Sequence, residues 1–271
     1  MTSPRTVQVA DAVTVDVHDH GDGEPLLLIQ TALLTEALVP LSHESEIARN
    51  FRVIDCRRRE YGPSGTVSEP GSVRRDALDC LAVLDALSAR PAHILGTSYS
   101  AAVALELAAI DPSAVRTLTL IEPPPRHGPP TEEFLAANRR LHDAYTAEGV
   151  TQALEQFNRA LGIPSWLEER STANEQHIAQ VERDATTFFA SDVPALLGWV
   201  FEPARTAAIT CPVLYIGGAE SHPWFAHVHR WVTEIFPHCE DHLVDGAGHT
   251  VASTHSHVVA ELVANFAAKH H

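Results

Sequence analysis

Ser98 lies in Leu95-Gly96-Thr97-Ser98-Tyr99-Ser100, between an apolar run (Ala92-His93-Ile94-Leu95) and the helix-like stretch Ala101 to Leu107. A serine on so tight a strand-to-helix turn takes a strained conformation, and the residues two before and two after it must be small to avoid a clash. Gly96 and Ser100 meet that demand. A serine hydroxyl is a poor nucleophile at neutral pH. It needs a base within hydrogen-bond reach and an acid that holds the base in the correct tautomer. After the last predicted strand, His249 stands in Asp245-Gly246-Ala247-Gly248-His249-Thr250, where two glycines let the loop turn back toward Ser98. Together these residue types point to acyl transfer through a covalent serine intermediate.

The elements that must hold them follow from hydrophobic patterning. Short apolar runs recur at helix-length intervals: Leu26 to Ile29, Phe51 to Ile54, His93 to Leu95, Leu118 to Ile121, Val213 to Ile216 and His242 to Val244. They read as buried parallel strands. Val7 to Val9 and Val13 to Val17 alternate with the period of a half-exposed antiparallel hairpin. Val73 to Leu87, Tyr99 to Ile110 and Val258 to Ala268 carry apolar residues at three- and four-residue steps, as helices do. The expected fold class is α/β, a doubly wound and mostly parallel sheet with an antiparallel edge.

One interval breaks this rhythm. About eighty residues separate Ile121 from Val213, opening with Pro123-Pro124-Pro125 and Pro129-Pro130. Within it Glu132 to Tyr145, Thr151 to Leu161, Asn174 to Phe189 and Pro194 to Phe201 are helix-like, and no good strand is visible. A helical cap over residues 123–205 is expected, inserted into a core of residues 1–122 and 206–271. It holds eight of the chain's seventeen aromatic residues, enough for a core of its own or for an apolar lid over a substrate.

Composition narrows the function. The chain has 271 residues and a formal charge of −16, so it lacks the basic face that nucleic acid requires. Its only cationic cluster is Arg57-Arg58-Arg59. Lysine occurs once, at Lys269, which excludes a Schiff-base or phosphate-loop lysine from the body of the chain. No apolar run approaches the roughly 20 residues that cross a bilayer, and the N-terminus lacks a signal pattern, so a cytoplasmic protein is expected. Four cysteines without paired or metal-like spacing read as free thiols. No metal or organic cofactor is indicated, since the histidine pairs lack ligand spacing and no dinucleotide fingerprint follows the first parallel strand.

From about Val7 to Phe266 the chain resembles the α/β-hydrolase superfamily, through the Gly-x-Ser-x-small elbow, the Gly-x-Gly-His loop and the capped strand order. The resemblance implies the order serine, acid, histidine, with Ser98 as nucleophile and His249 as base. Relatives usually place the acid in the turn after the strand that follows the cap, here Gly217-Gly218-Ala219-Glu220-Ser221-His222. Glu220 is the first choice, although the commonest spacing lands on Ser221. Other members, including haloalkane dehalogenases, take the acid from the end of the preceding strand, which makes Glu122 the second choice. The oxyanion hole is expected from the N–H of Tyr99 and an amide of the loop after Ile29. That loop reads Gln30-Thr31-Ala32-Leu33 where relatives commonly show His-Gly, so Ala32 or Thr31 supplies the second donor, and the Thr31 hydroxyl could add a third. Gln30, Leu33, Phe134, Trp199 and Trp224 are the expected pocket residues. The segment Arg57 to Ser64 matches its family counterpart loosely, and a structural role is expected of it.

A serine at the elbow argues against dehalogenases and epoxide hydrolases, whose relatives carry aspartate there. Hydrolysis of a small, largely apolar carboxylic ester or lactone is the expected activity, with a small-molecule substrate as the only required partner. Two alternatives stay open: a non-acylating enzyme such as a lyase, perhydrolase or tailoring enzyme, and a ligand-binding protein without turnover. Homodimerisation is open as well.

Overall fold

The described residues of the computed structural model are 4–65, 71–161 and 165–270; residues 1–3 of the N-terminal reading and residue 271 lie outside them. The alternating segments form β1 (Arg5–Ala10) and β2 (Val13–His20), an antiparallel pair at one edge of the sheet. The apolar runs form β3 (Glu24–Ile29), β4 (Phe51–Cys56), β5 (Ala92–Thr97), β6 (Val115–Ile121), β7 (Val213–Gly218) and β8 (Glu240–Val244). The sheet order is β1-β2-β4-β3-β5-β6-β7-β8. Pairing is antiparallel as far as β2/β4 and parallel from β4/β3 onward. Every residue of β5 and of β7 is buried, which is why these strands read as continuous apolar runs rather than alternating ones.

Helices α1 (Val73–Ala86) and α2 (Tyr99–Ile110) pack against the sheet. α2 is apolar on every side, and all its residues from Tyr99 to Ala108 are buried, as expected of a helix at the centre of a core. The parallel strands all present their C-terminal ends at one edge of the sheet. The segments after β3, β5, β6, β7 and β8 therefore meet there, and they carry Thr31, Ser98, Glu122, Glu220 and His249 respectively.

Between β6 and β7 the described residues are helical, with no strand: α3 (Thr131–Glu148), α4 (Val150–Leu161), α5 (Trp166–Thr172), α6 (Glu175–Thr187) and α7 (Val193–Gly198). Helix α5 was not foreseen. The expected helix to Phe189 instead runs into a π turn at Phe188–Asp192 before α7 begins. Pro194, in the first turn of α7, lacks an N–H to donate, and its ring crowds the carbonyl four residues back, so the chain widens there. α7 ends at Gly198, short of the expected Phe201, because Trp199 turns away to the core. The insertion has its own core of Ala153, Leu154, Trp166, Phe188, Phe189 and Val193, whereas Trp199 and Phe201 belong to the main core.

After β7, α8 (Trp224–Ile235) packs under the sheet edge, and α9 (Ser256–Ala267) covers the opposite face. Among the described residues no helix is long and apolar enough to cross a membrane.

Candidate active site

The turn from β5 into α2 holds Ser98 at φ 51° and ψ −121°. A non-glycine residue in this region costs of order 1–3 kcal/mol and persists only where its surroundings over-determine it. The surroundings are visible. A Cβ on Gly96 would lie 2.2 Å from the carbonyl oxygen of Ser100, so only glycine fits there. Ser100 in turn fastens the elbow: its Oγ accepts from the Thr97 N–H and donates to the Thr97 carbonyl, both at 2.9 Å. The hydroxyl thus ties the turn together as well as meeting the demand for a small residue.

His249 Nε2 lies 3.0 Å from Ser98 Oγ, and its Nδ1 lies 2.6 Å from Glu122 Oε2. The second carboxylate oxygen, Oε1, accepts the Gly218 N–H at 2.9 Å. Glu122 is 1% exposed and sits at φ 44°, immediately after β6. A buried carboxyl group costs free energy unless its oxygens are hydrogen-bonded, and these two contacts meet that need. Phe225 of α8 stacks on the imidazole at 4.3 Å between centroids and 16° between planes, fixing the ring from the side. Nothing in the local sequence around Phe225 signals this role; it arises from the crossing of α8 under the His249 loop.

The carboxylate on His249 is thus Glu122, and the first choice, Glu220, is a correction. Its residue is exposed in the turn after β7, and its contribution is its backbone N–H, which donates to the Ala247 carbonyl at 2.9 Å. That bond pins the loop carrying His249. The turn after β7 is too close to that loop to hold side chains between them: a Cβ on Gly218 would lie 2.4 Å from the Ala247 carbonyl oxygen and 2.5 Å from that of Gly248.

Tyr99 and Ala32 line the cavity with Ser98, and among the described residues neither N–H donates to another protein group. They can stabilise an oxyanion there. The Thr31 hydroxyl does not join them, since it donates to the Thr97 carbonyl at 2.8 Å. It ties the loop after β3 to the elbow instead. Leu33, at φ 75°, donates its N–H to Tyr61 Oη at 3.0 Å, and Tyr61 donates to Asp192 Oδ2 at 2.6 Å.

Beneath this loop lies a buried polar hub. Arg58 bonds Asp192 through both terminal nitrogens (2.8 and 2.7 Å), Asp76 at 2.9 Å and the Gln30 carbonyl at 2.9 Å. It also faces the Tyr99 ring at 4.3 Å, while Tyr99 Oη donates to Asp76 at 3.0 Å. Burial alone would lower the Arg58 pKa, but the Asp192 and Asp76 charges outweigh it and hold the guanidinium well above its usual range. Burial, then the charge of Asp76, likewise pushes the Tyr99 phenol up, so it stays a donor. The Arg57-Arg58-Arg59 run, in the segment of which a structural role is expected, is turned inward: Arg57 and Arg58 are buried, and Arg59 pairs with Asp79.

A cavity of about 300 Å³ opens over Ser98. Leu33, Phe134 and Trp224 line it, and Phe134 meets Trp224 edge to face at 5.6 Å. Two expected pocket residues do not. Gln30 is buried under the loop, with its amide bonded to the Thr31 carbonyl. Trp199 is spent on the core, where its Nε1 donates to Glu106 at 3.0 Å. Both polar groups found partners below the cavity floor, which a buried amide or indole requires. The walls are mostly apolar, with Leu141, Phe157 and Phe188 from the insertion; Glu36, Asn138, His222 and Ser253 are polar members, and there is no lysine or arginine among them.

Comparison with known proteins bears on this arrangement. "Putative carbamate hydrolase RutD" of Azorhizobium caulinodans is 28% identical over 162 residues, which is 60% of this chain and 60% of that relative. An alpha/beta hydrolase from Sphaerobacter thermophilus superposes with a TM-score of 0.75 at 28% identity, covering 97% of this chain and 99% of that one. A structure described among carboxylesterases of Nitrososphaera gargenis gives a TM-score of 0.77 at 20% identity over 98% of each chain, a likeness of fold. The model of the alpha/beta hydrolase family matches residues 13–262, so nearly the whole chain, from β2 into α9, carries the pattern, and the protein belongs to that family.

Proposed function

We propose that the protein is a serine hydrolase acting on a small, largely apolar carboxylic ester or lactone. The observation that carries this reading is the hydrogen-bonded line Ser98 Oγ, His249, Glu122, opening onto an apolar cavity beside two free N–H groups. Glu122 accepts the Nδ1 proton and so presents the unprotonated Nε2 to Ser98. Ser98 Oγ attacks the substrate carbonyl as His249 takes its proton. The Tyr99 and Ala32 N–H groups receive the developing oxyanion. The tetrahedral intermediate collapses, His249 returns the proton to the departing alkoxide, and the acyl group remains on Ser98. Water, deprotonated by His249, then releases the acid and restores the serine.

A cavity without cationic side chains favours neutral substrates over carboxylates or phosphates. Carbamates share the attacked carbonyl, and the 28% identical relative brings them into the range to be tested.

The test is incubation with a fluorophosphonate and with short to medium p-nitrophenyl esters, read by intact mass and by released nitrophenol. Labelling and turnover are expected together. Ser98→Ala should abolish the label and lower kcat by about 10⁴-fold or more, and His249→Ala should act similarly. Ester turnover surviving in Ser98→Ala would exclude covalent catalysis at this site. A folded protein that neither labels nor turns over would return the reading to a non-acylating enzyme or a ligand-binding protein.

A further inference from the structure

Along α3, Phe134, Ala137, Asn138 and Leu141 all line the cavity. Their spacing of three, four and seven residues is that of one helix face. Three of the four are apolar or small, as the interior face of an insertion packed over a largely apolar cavity should be. Asn138 is the exception. It is 8% exposed, and its Nδ2 donates to the Phe134 carbonyl at 2.9 Å. That carbonyl lies four residues back, where the helix already offers it the Asn138 backbone N–H, so the helix does not need the side chain. Among the described residues no protein group donates to Asn138 Oδ1.

An amide oxygen at a largely apolar cavity wall costs free energy, when the cavity is filled, unless the ligand supplies a donor in place of water. Alanine or leucine would pack there without that cost. The bond to Phe134 also fixes the rotamer, so the oxygen is held in place rather than free to swing. Nδ2, being already engaged, leaves acceptance as the main service the group can offer.

We propose that Asn138 is a specificity-determining residue whose Oδ1 accepts a hydrogen bond from the substrate, and that the substrate carries an N–H donor of the secondary-amide class within its otherwise apolar part. This rests on the hydrolase reading above. It narrows the substrate from simple apolar esters to esters or lactones bearing an N-acyl group. A site built to receive such a donor discriminates against analogues that lack it, because the acceptor, once the bound substrate covers it, is then left unpaired.

The test uses p-nitrophenyl esters of N-acylated ω-amino acids with two, three or four methylenes. Each is paired with its N-methyl amide and its all-methylene counterpart. In the wild type at least one secondary amide should exceed both counterparts in kcat/KM by about 10-fold. Asn138→Leu and Asn138→Ala should erase that preference, lowering kcat/KM for the secondary amide far more than for the all-methylene ester. Thermal melts of both variants report whether the fold survives. An active wild type without preference anywhere in the series, or a preference that persists in both variants, overturns the proposal while leaving the hydrolase reading intact. Should the wild type neither label nor turn over, calorimetry on the wild type and Asn138→Ala with N-butylbutanamide and its N-methyl analogue decides the matter without chemistry. Preferential binding of the secondary amide, lost on substitution, supports the role of Asn138, and equal binding of the two amides overturns it.

Discussion

The ends of β6 and β7 are neighbours in the sheet, and each presents a glutamate near the loop of His249. Only one glutamate reaches the imidazole. At the end of β6 the chain takes a positive φ at Glu122 and turns the carboxylate inward, where His249 and the Gly218 N–H satisfy one oxygen each. At the end of β7 Gly218 brings the backbone against the His249 loop, and Glu220 is left exposed with its N–H bonded to the Ala247 carbonyl. The difference is one of division of labour. β6 supplies the charge, and β7 supplies a close backbone surface that fixes both the carboxylate and the loop. A carboxylate at the expected spacing therefore counts for less than a buried pocket that completes its hydrogen bonds.

The comparison is broken most directly by removing each carboxylate in turn. Glu122→Gln should lower kcat/KM by about 10⁴-fold, because the amide keeps the shape but favours the wrong imidazole tautomer. Glu220→Gln should change it less than about 2-fold, since the bond it makes to Ala247 runs through its backbone. Steady-state kinetics on a p-nitrophenyl ester decide it. The reverse pattern, a large loss in Glu220→Gln and little in Glu122→Gln, would mean that the loop rearranges when substrate binds.

This outcome marks where the sequence was legible. The strands were readable because burial on both faces leaves continuous apolar runs, and Ser98 and His249 stood out because the turn and the loop impose small residues next to them. The acid was not readable to the same degree. Whether Glu122 or Glu220 faces His249 depends on a non-glycine residue adopting a positive φ and on a contact across 127 positions, neither of which leaves a local pattern. Gln30 and Trp199 were misplaced for a related reason: each has a polar group that finds a partner in the core, Gln30 beside Arg58 and Trp199 against Glu106. The partners of Arg58 left no local signal, because Asp76 and Asp192 reach it from 18 and 134 residues away.

A smaller effect is expected at the β7 backbone. Gly218→Ala adds a Cβ that must push Ala247 and Gly248 outward, since both obstacles are backbone oxygens at 2.4 and 2.5 Å. Overpacking of this kind costs about 1–3 kcal/mol, and chemical denaturation should show it. The same displacement moves His249 relative to Ser98, so kcat should fall by up to about 100-fold even where the variant remains folded. Unchanged stability and activity would mean that the loop is slack, and that the division of labour between the two strand ends is weaker than the geometry indicates.

The smallest effect sharpens the comparison where the two ends are stapled together. His127, in the proline-rich segment after β6, stacks on Trp231 of α8, which follows β7, at 4.1 Å between centroids and 9° between planes. Burial, with the charge of Arg126 adding to it, lowers its pKa from 6.5 to about 4. In the unfolded chain the ring takes up its proton near pH 6.5, whereas in the folded chain it resists until about pH 4, so the unfolded state binds more protons between these values. Stability from the neutral ring is therefore complete above pH 6.5 and drains away as the pH falls toward 4. With the ring only partly buried, the contribution is about 1 kcal/mol after allowance for solvent screening, or roughly 2–4 °C in Tm. His127→Phe keeps the stack and removes the titration. Its melting temperature should therefore drop less than that of the wild type between pH 6.5 and pH 4, with the two curves parallel above pH 7. Parallel curves throughout would show that the staple between the strand ends is set by stacking alone and carries no proton linkage.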